Sequence, residues 1–111
     1  MGDPANLHAA DGDACQLLIG EGSFVLVDFW APWCGPCRAM KPVVRELANR
    51  HPEVTVLEVD IEANPELADE FSVRGVPSLL LFKEGDCVER LVGKVAYMFL
   101  EQAINRHGKT R

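Results

Sequence analysis

Three features are missing from this sequence of 111 residues, and each absence narrows the possible functions. No apolar stretch reaches the roughly 20 residues that a membrane-spanning helix requires, so we expect no membrane partner. The N-terminal residues contain neither a basic segment nor an apolar run, which argues against a secretory signal and favours a soluble, cytoplasmic protein. Acidic residues outnumber basic ones by 17 to 11, and the net charge of −6 argues against nucleic acid as a partner.

Cysteine is scarce as well, and its spacing is informative. Of the four cysteines only Cys34 and Cys37 are close in sequence, whereas Cys15 and Cys87 are expected to be small, half-buried residues. An apolar content of 48% suffices for a core without disulfide staples. In a reducing compartment we therefore expect the close pair to be catalytic rather than structural. The three histidines are scattered and show no metal-ligand spacing.

The chain shows no repeats, linkers or low-complexity tracts, and its length suits one domain with one core. We expect a single, monomeric domain over residues 1–111, frayed at 1–5 and 108–111. The hydrophobic periodicity predicts elements in the order β-α-β-α-β-α-β-β-α. They are strands at 5–9, 24–30, 54–60, 77–83 and 87–92, and helices at 11–19, 34–50, 65–71 and 96–106.

The order of these elements predicts an α/β fold. Strands and helices alternate in the first part of the chain, which requires a parallel arrangement of those strands. The turn at Glu84-Gly85-Asp86 then joins the last two strands as an antiparallel hairpin. We therefore expect a mixed five-stranded central sheet, with a parallel core and a C-terminal antiparallel hairpin, flanked by four helices.

The most informative stretch is FVLVDFWAPWCGPCRAM, residues 24–40. Its apolar first part predicts a strand buried on both faces, and a helical pattern starts near Cys34 after a tight connection. Two cysteines three positions apart at a helix start can close a small disulfide ring. The unpaired N–H groups and the positive dipole end of the helix favour a thiolate there. Gly35 and Pro36 separate the cysteines, and Pro36 is tolerated because the first helical turn does not need its N–H.

This layout is typical of dithiol–disulfide exchange. We predict that Cys34 is the nucleophile, because it lies nearest the strand-to-helix turn, where access is greatest. It would attack a target disulfide to give a mixed disulfide, which Cys37 would then resolve. The alternative is a zinc site completed by Cys15 and Cys87. These two form no second Cys-x-x-Cys pair, and a proline between the first two is unusual for a zinc knuckle.

The same stretch resembles a known family. The segment WCGPC at 33–37, preceded by VDFWA at 27–31, is similar to the active-site signature of the thioredoxin family. The similarity covers most of the chain, from about Leu7 to the last helix. Further positions that match are Pro42, the segment RGVP at 74–77, Gly85 and Gly93.

The resemblance implies a protein disulfide reductase with the thioredoxin fold and a reversible Cys34–Cys37 couple. Such a protein binds no cofactor and takes electrons from NADPH through a flavin-dependent thioredoxin reductase. Its partners would be that reductase and target proteins that contain disulfides. The resemblance also implies that Pro77 follows a cis bond beside the dithiol and leaves the Val76 backbone free to pair with a substrate strand. The alternative is an ordinary trans proline that starts a strand.

Asp28 is an acid inside an apolar strand. A buried, unpaired carboxylate has a raised pKa and can accept a proton, and the resemblance implies that Asp28 accepts the proton of Cys37. The alternative is an aspartate that reaches solvent at the strand end. The sequence departs from the family at Glu58, where many thioredoxins carry a lysine close to this acid. Glu58 either faces Asp28 and raises its pKa further, or points to water.

A docking surface is expected around Cys34. Two cationic residues, Arg38 and Lys41, would either favour acidic targets or lower the pKa of Cys34. Gly93 would permit the close approach of a partner backbone. The flat, weakly polar surface itself is predicted to consist of Trp33, Gly35, Pro36, Val76 and Gly93.

Two other functions remain open from the sequence. One is a binding module or chaperone-type subunit whose dithiol is incidental. The other is a disulfide oxidase or isomerase. The dipeptide Gly35-Pro36 favours a reductant, because isomerases with this motif often carry Gly-His between the cysteines, whereas the substitution at Glu58 leaves the oxidising alternative open.

Overall fold

The computed structural model describes residues 3–22 and 24–108, and within them the elements follow the predicted order. None of the helices formed by these residues is long and apolar enough to cross a membrane. The strands are β1 (Leu7–Ala9), β2 (Phe24–Trp30), β3 (Thr55–Asp60), β4 (Ser78–Lys83) and β5 (Asp86–Val92). The helices are α1 (Gly12–Glu21), α2 (Gly35–Arg50), α3 (Pro65–Glu70) and α4 (Tyr97–Gly108).

The strands form one sheet in the order β1-β3-β2-β4-β5. Strand β3 pairs in parallel with both β1 and β2, whereas β4 is antiparallel to both β2 and β5. The predicted mixed sheet, with a parallel core and a C-terminal hairpin, is therefore confirmed. Strand β2 lies at the centre, and its residues from Phe24 to Phe29 are all buried, as the continuous apolar run predicted.

The edge strand β1 starts later than predicted, at Leu7 rather than residue 5. The preceding residues form a turn instead, in which the N–H of Leu7 donates to the carbonyl of Pro4 at 3.1 Å. The side-chain amide of Asn6 donates to the carbonyls of Ala48, His51 and Val54, at 3.0, 3.2 and 2.7 Å. Satisfying these carbonyls, which lie between the last turn of α2 and the start of β3, takes priority over extending a strand at the sheet edge.

The ends of the chain were predicted to fray at 1–5 and 108–111. Of these positions, residues 1, 2 and 109–111 lie outside the described residues. Asp3 forms an ion pair with Arg45 at 2.7 Å, and Gly108 is the last residue of α4.

The two faces of β2 carry two separate apolar clusters. Leu26 faces α2 and α4, whereas Val27 and Phe29 face α1 and α3.

Cys15 lies fully buried in the second cluster, and Cys87 is exposed on β5. The prediction that both are half-buried is wrong for each of them, because α1 turns Cys15 onto the sheet while β5 is an edge strand. Burial, with a smaller contribution from Glu70, raises the pKa of Cys15 to about 11 and keeps it a thiol.

His51 connects the end of α2 to α4. Its Nε2 lies 2.9 Å from a carboxylate oxygen of Glu101, and its Nδ1 lies 3.2 Å from Glu53. The hydroxyl of Tyr97 donates to the same Glu101 oxygen at 3.1 Å. Burial alone would lower the pKa of His51, but the hydrogen bonds with Glu101 and Glu53 outweigh it and raise the pKa above the ordinary value. The protonated imidazole therefore stabilises the fold.

We expect His51→Gln to destabilise the oxidised protein by about 1 kcal/mol at pH 5.5. A raised pKa in the folded state gives a contribution that is complete below the unfolded pKa of about 6.5 and is lost as the pH rises through the folded pKa. The destabilisation should therefore shrink towards about pH 8.5. Urea unfolding at both pH values measures it, with His8→Gln, an exposed position on β1, as the control. Equal losses at the two pH values would contradict this account.

Candidate redox site at the start of helix α2

The two close cysteines form a disulfide at the junction of β2 and α2. Strand β2 ends at Trp30, and the carbonyl of Ala31 accepts the N–H of Cys34 at 3.1 Å, which closes the connecting turn. Cys34 is the N-cap of α2, and Pro36 stands in the first turn, where no intrahelical N–H is required. The Cα atoms of Cys34 and Cys37 are 5.3 Å apart, which suits a disulfide.

A backbone hydrogen bond points at one of the two sulfurs. The N–H of Cys37 donates to Cys34 Sγ at 3.1 Å. In the dithiol state a donor in this position, together with the positive end of the α2 dipole, favours a thiolate at Cys34. Exposure does not separate the two cysteines as expected, because Cys34 is 4% exposed and Cys37 is 3% exposed. Their position at the helix start therefore distinguishes them, rather than their access to solvent.

Asp28 lies on the face of β2 that packs against α2, and only 2% of its surface is exposed. Among the described residues, its Oδ1 has no hydrogen-bond partner. Burial raises the pKa of Asp28 to about 7, with a further increase from Glu58 and a smaller, opposing effect of Lys41. The alternative of an aspartate that reaches solvent at the strand end is therefore wrong. Glu58 is the register partner of Asp28 on β3, so it faces the acid rather than only water.

The peptide bond between Val76 and Pro77 is cis, so the alternative of an ordinary trans proline is wrong. Val76 packs against the cluster formed by Ala31 and the two cysteines. The carbonyl of Pro77 accepts the N–H of Gly93 at 2.8 Å, which joins the loop after β5 to the start of β4. The segments that carry Val76, Pro77 and Gly93 therefore meet beside the disulfide.

The predicted docking residues differ in exposure. Trp33 is 63% exposed, and its indole N–H donates to the carboxylate of Glu62. Gly35 and Pro36 are exposed, whereas Val76 and Gly93 are partly buried. Gly93 has a φ of +92° and open space where a Cβ would stand, which leaves room for an approaching backbone.

Sequence reasoning missed two residues of this region. Val92 is 64% exposed next to Gly93 and adds apolar area to the predicted docking surface. Ile61 packs against the cysteine cluster from the residue that follows β3. Alternation along β5 left the exposure of Val92 undecided, because an apolar residue at a strand end can face either side. Ile61 could have been predicted to lie near the site, because it follows the carboxyl end of a strand, where the binding sites of α/β sheets are found.

Possible ligand sites elsewhere do not coincide with the cysteines. Across residues 3–22 and 24–108 no group of three or more His, Cys, Asp or Glu side chains is arranged to hold a metal ion. In particular, Cys15 and Cys87 do not join the disulfide pair. A cleft of about 230 Å³ lies away from the disulfide, between the starts of α1 and α3, and includes Asp13, Glu66 and Glu70 in its lining.

The sheet order and the strand–turn–helix site define an α/β protein built for dithiol–disulfide exchange. The family model for Thioredoxin matches residues 11–106, and the chain belongs to the thioredoxin family. Thioredoxin 1 of Nostoc sp. is 44% identical over 104 residues, covering 93% of this chain and 97% of that protein. The thioredoxin of Chlamydia trachomatis is 47% identical over 83 residues, covering 75% of this chain and 81% of the relative.

Solved structures show the same fold. A mutant thioredoxin from Halobacterium salinarum NRC-1 matches with a TM-score of 0.90 at 33% identity, and the match covers 100% of this chain and 98% of that one. A Plasmodium falciparum thioredoxin matches with a TM-score of 0.84 at 25% identity, covering 90% of this chain and 98% of that chain. The chain therefore has the thioredoxin fold, which the resemblance of its motifs had implied.

The burial of Asp28 leads to a prediction about stability. The unfolded chain loses this proton near pH 3.9, whereas the folded protein keeps it to about pH 7, so wild-type stability falls as the pH rises between these values. Asp28→Asn removes this pH-dependent loss of stability, because asparagine carries no ionisable proton. We expect the variant to unfold like wild type near pH 4 and to be more stable above pH 7, by at most about 4 kcal/mol. Urea unfolding of the oxidised proteins measures the difference, and an advantage that does not change with pH would contradict the prediction.

Proposed function

We propose that the chain is a protein disulfide reductase that acts through a reversible Cys34–Cys37 couple. The observation that carries this proposal is the disulfide at the start of α2, with the Cys37 N–H directed at Cys34 Sγ. Membership of the thioredoxin family supports it. A helix N-cap would make the same contact in a binding module with an incidental dithiol, so the insulin assay below distinguishes the two functions.

The reaction begins with the dithiol form. The Cys34 thiolate attacks one sulfur of a target disulfide, the target S–S bond breaks, and a mixed disulfide forms as the first target thiolate leaves. Cys37 then loses its proton and attacks Cys34 Sγ. The mixed disulfide breaks, the second target thiolate leaves, and the intramolecular disulfide forms. Two electrons have passed from the chain to the target.

Asp28 is the proposed proton acceptor for Cys37. It is carried on the face of β2 that packs against α2, the helix whose first turn holds Cys37. A carboxyl group with a pKa of about 7 is matched to proton transfer at neutral pH, since a general base is most effective when its pKa lies near the working pH. An unpartnered Oδ1 leaves it free to take up the proton.

Targets are proposed to dock as extended segments over the disulfide. The Val76 backbone would pair with such a segment, and the exposed indole of Trp33 would contribute apolar area. Gly35 and Gly93 have no side chains that would obstruct its approach, and the exposed ring of Pro36 would add apolar area.

The dithiol must be regenerated after each cycle. We propose a flavin-dependent thioredoxin reductase as the electron donor, with NADPH as the source, and a monomer in the cytoplasm as the working form. The disulfide itself is the redox group in this scheme.

An equilibrium with glutathione that strongly favours the disulfide form of the protein would identify a reductant, whereas a strong preference for the dithiol would indicate an oxidase.

Substitution of each cysteine tests the assigned order of attack. We expect Cys34→Ser to abolish the reduction of insulin and to trap no target through residue 34. Cys37→Ser should also lose turnover but accumulate a mixed disulfide at Cys34, because the resolving thiol is gone. Dithiothreitol-driven insulin reduction and mass spectrometry under non-reducing conditions measure the two effects.

Matched controls for this experiment are Cys15→Ser and Cys87→Ser, which should retain wild-type activity because neither residue is part of the proposed couple. Trapping at residue 37 in the Cys34→Ser protein, with none at residue 34 in the Cys37→Ser protein, would reverse the assignment. Omitting dithiothreitol and supplying NADPH with thioredoxin reductase tests the proposed donor.

Loss of the acceptor should slow only the second step. We expect Asp28→Asn to decrease the rate of mixed-disulfide resolution at pH 7 by roughly one order of magnitude or more, while the first attack by Cys34 changes little. Single-turnover kinetics with a chromogenic disulfide separate the two steps. Asp86→Asn, in the remote β4–β5 hairpin, is the matched control, and an unchanged resolution rate in Asp28→Asn would rule out this role.

A further inference from the structure

Two elements, β3 and α2, bring charged side chains to the region of Asp28. Glu58 is its direct register partner on the parallel strand β3, so the two side chains lie on the same face of the sheet. Trp30, two residues after Asp28 on β2, also points to that face. Lys41 Nζ lies 4.6 Å from the centroid of the Trp30 ring. Lys41 and Cys37 are four residues apart on α2, so they share one face of that helix.

We propose that Lys41 is a positioning residue for disulfide exchange: held over the Trp30 ring, its ammonium group acts as the counter-cation of Asp28 and opposes the charge of Glu58. This inference rests on the proposed function, in which Asp28 accepts the proton of Cys37. The sheet places a carboxylate directly beside Asp28, and the compensating positive charge comes from the helix that carries the cysteines.

The indole ring explains why a flexible lysine can serve this purpose. The lysine side chain has a flexible four-carbon stem, and without a further contact its ammonium group would lie in solvent. A cation over the face of a tryptophan is attracted by the ring and restrained there. Because Trp30 and Asp28 are neighbours on one face of β2, this restraint also keeps the ammonium group near the acid.

The ionisable groups that face Asp28 act in opposite directions. Burial contributes most to raising its pKa, Glu58 raises it further, and Lys41 lowers it. On α2 the neighbouring ionisable groups are Cys37, which is held in the disulfide in the oxidised form, and Arg38, whose exposed guanidinium donates to the carbonyl of Pro32 at 3.0 Å. On β4 the register partner of Asp28 is Leu79, which carries no charge. On β3, Asp60 follows Glu58 on the same face as the register partner of Trp30, and its Oδ1 accepts the N–H of Glu62 at 2.8 Å. Lys41 and Glu58 are the two charged groups that change the pKa of Asp28, so their replacement should move its titration.

The test measures the titration of the Asp28 carboxyl carbon by NMR in the oxidised protein. Lys41→Gln should raise its midpoint by about one pH unit, because the opposing cation is gone. Glu58→Gln should lower it, and Lys41→Arg should stay within a few tenths of a unit of wild type, because it keeps the cation. The matched control is Arg50→Gln, which removes one positive charge at the far end of α2 and should leave the titration unchanged.

A second readout follows the reaction. In Lys41→Gln the pH at which mixed-disulfide resolution reaches half its maximum should rise in step with the Asp28 midpoint. An unchanged Asp28 midpoint in Lys41→Gln, an equal change in Arg50→Gln, or a midpoint that moves without the pH profile would each overturn the proposal. The titration needs no turnover, so it tests Lys41 even if the wild-type chain were to reduce no disulfide, and that failure would be seen separately in the insulin assay.

Discussion

The contact between the Cys37 N–H and Cys34 Sγ is the interaction on which the rest of the site depends. It exists because a strand buried on both faces ends shortly before a helix begins, so a free N–H of the first turn of α2 points at a sulfur. The same geometry holds the second sulfur one turn deeper in the helix. Reversible exchange then requires only that the surroundings tolerate both the disulfide and the thiolate.

A buried acid close to this contact destabilises the folded state, and the packing of the rest of the sheet offsets that destabilisation. Asp28 interrupts a strand that otherwise contributes apolar residues to two clusters, one on each face of the sheet. The burial of those clusters compensates for one carboxyl group that stays protonated to about pH 7. The folded state thus carries the free-energy cost of a buried carboxyl group, which is the proposed proton acceptor.

The surface around the disulfide combines segments that are distant in sequence. The loop before α2 supplies Trp33, and the loop before β4 supplies Val76. The last residue of β5 is Val92, and Gly93 follows it. Antiparallel pairing of β4 with β2 and β5 brings these segments to one end of the sheet. An extended partner lying there would meet the apolar side chains of Trp33 and Val92 and the open space at Gly93, which suits recognition without a strict sequence requirement.

Local sequence alone determined the strand–turn–helix unit, the pairing of Cys34 with Cys37 and the presence of an acid within the strand, since each depends on neighbours within about 15 residues and on periodicity. The element order also determined the mixed sheet, although the start of β1 shifted because the Asn6 amide satisfies carbonyls at the end of α2. Tertiary structure decided that Cys15 is buried and Cys87 exposed, that Glu58 faces Asp28, and that Lys41 lies over Trp30. These are properties of pairs brought together by strand register and helix packing, and no periodicity within a single segment encodes the partner on another.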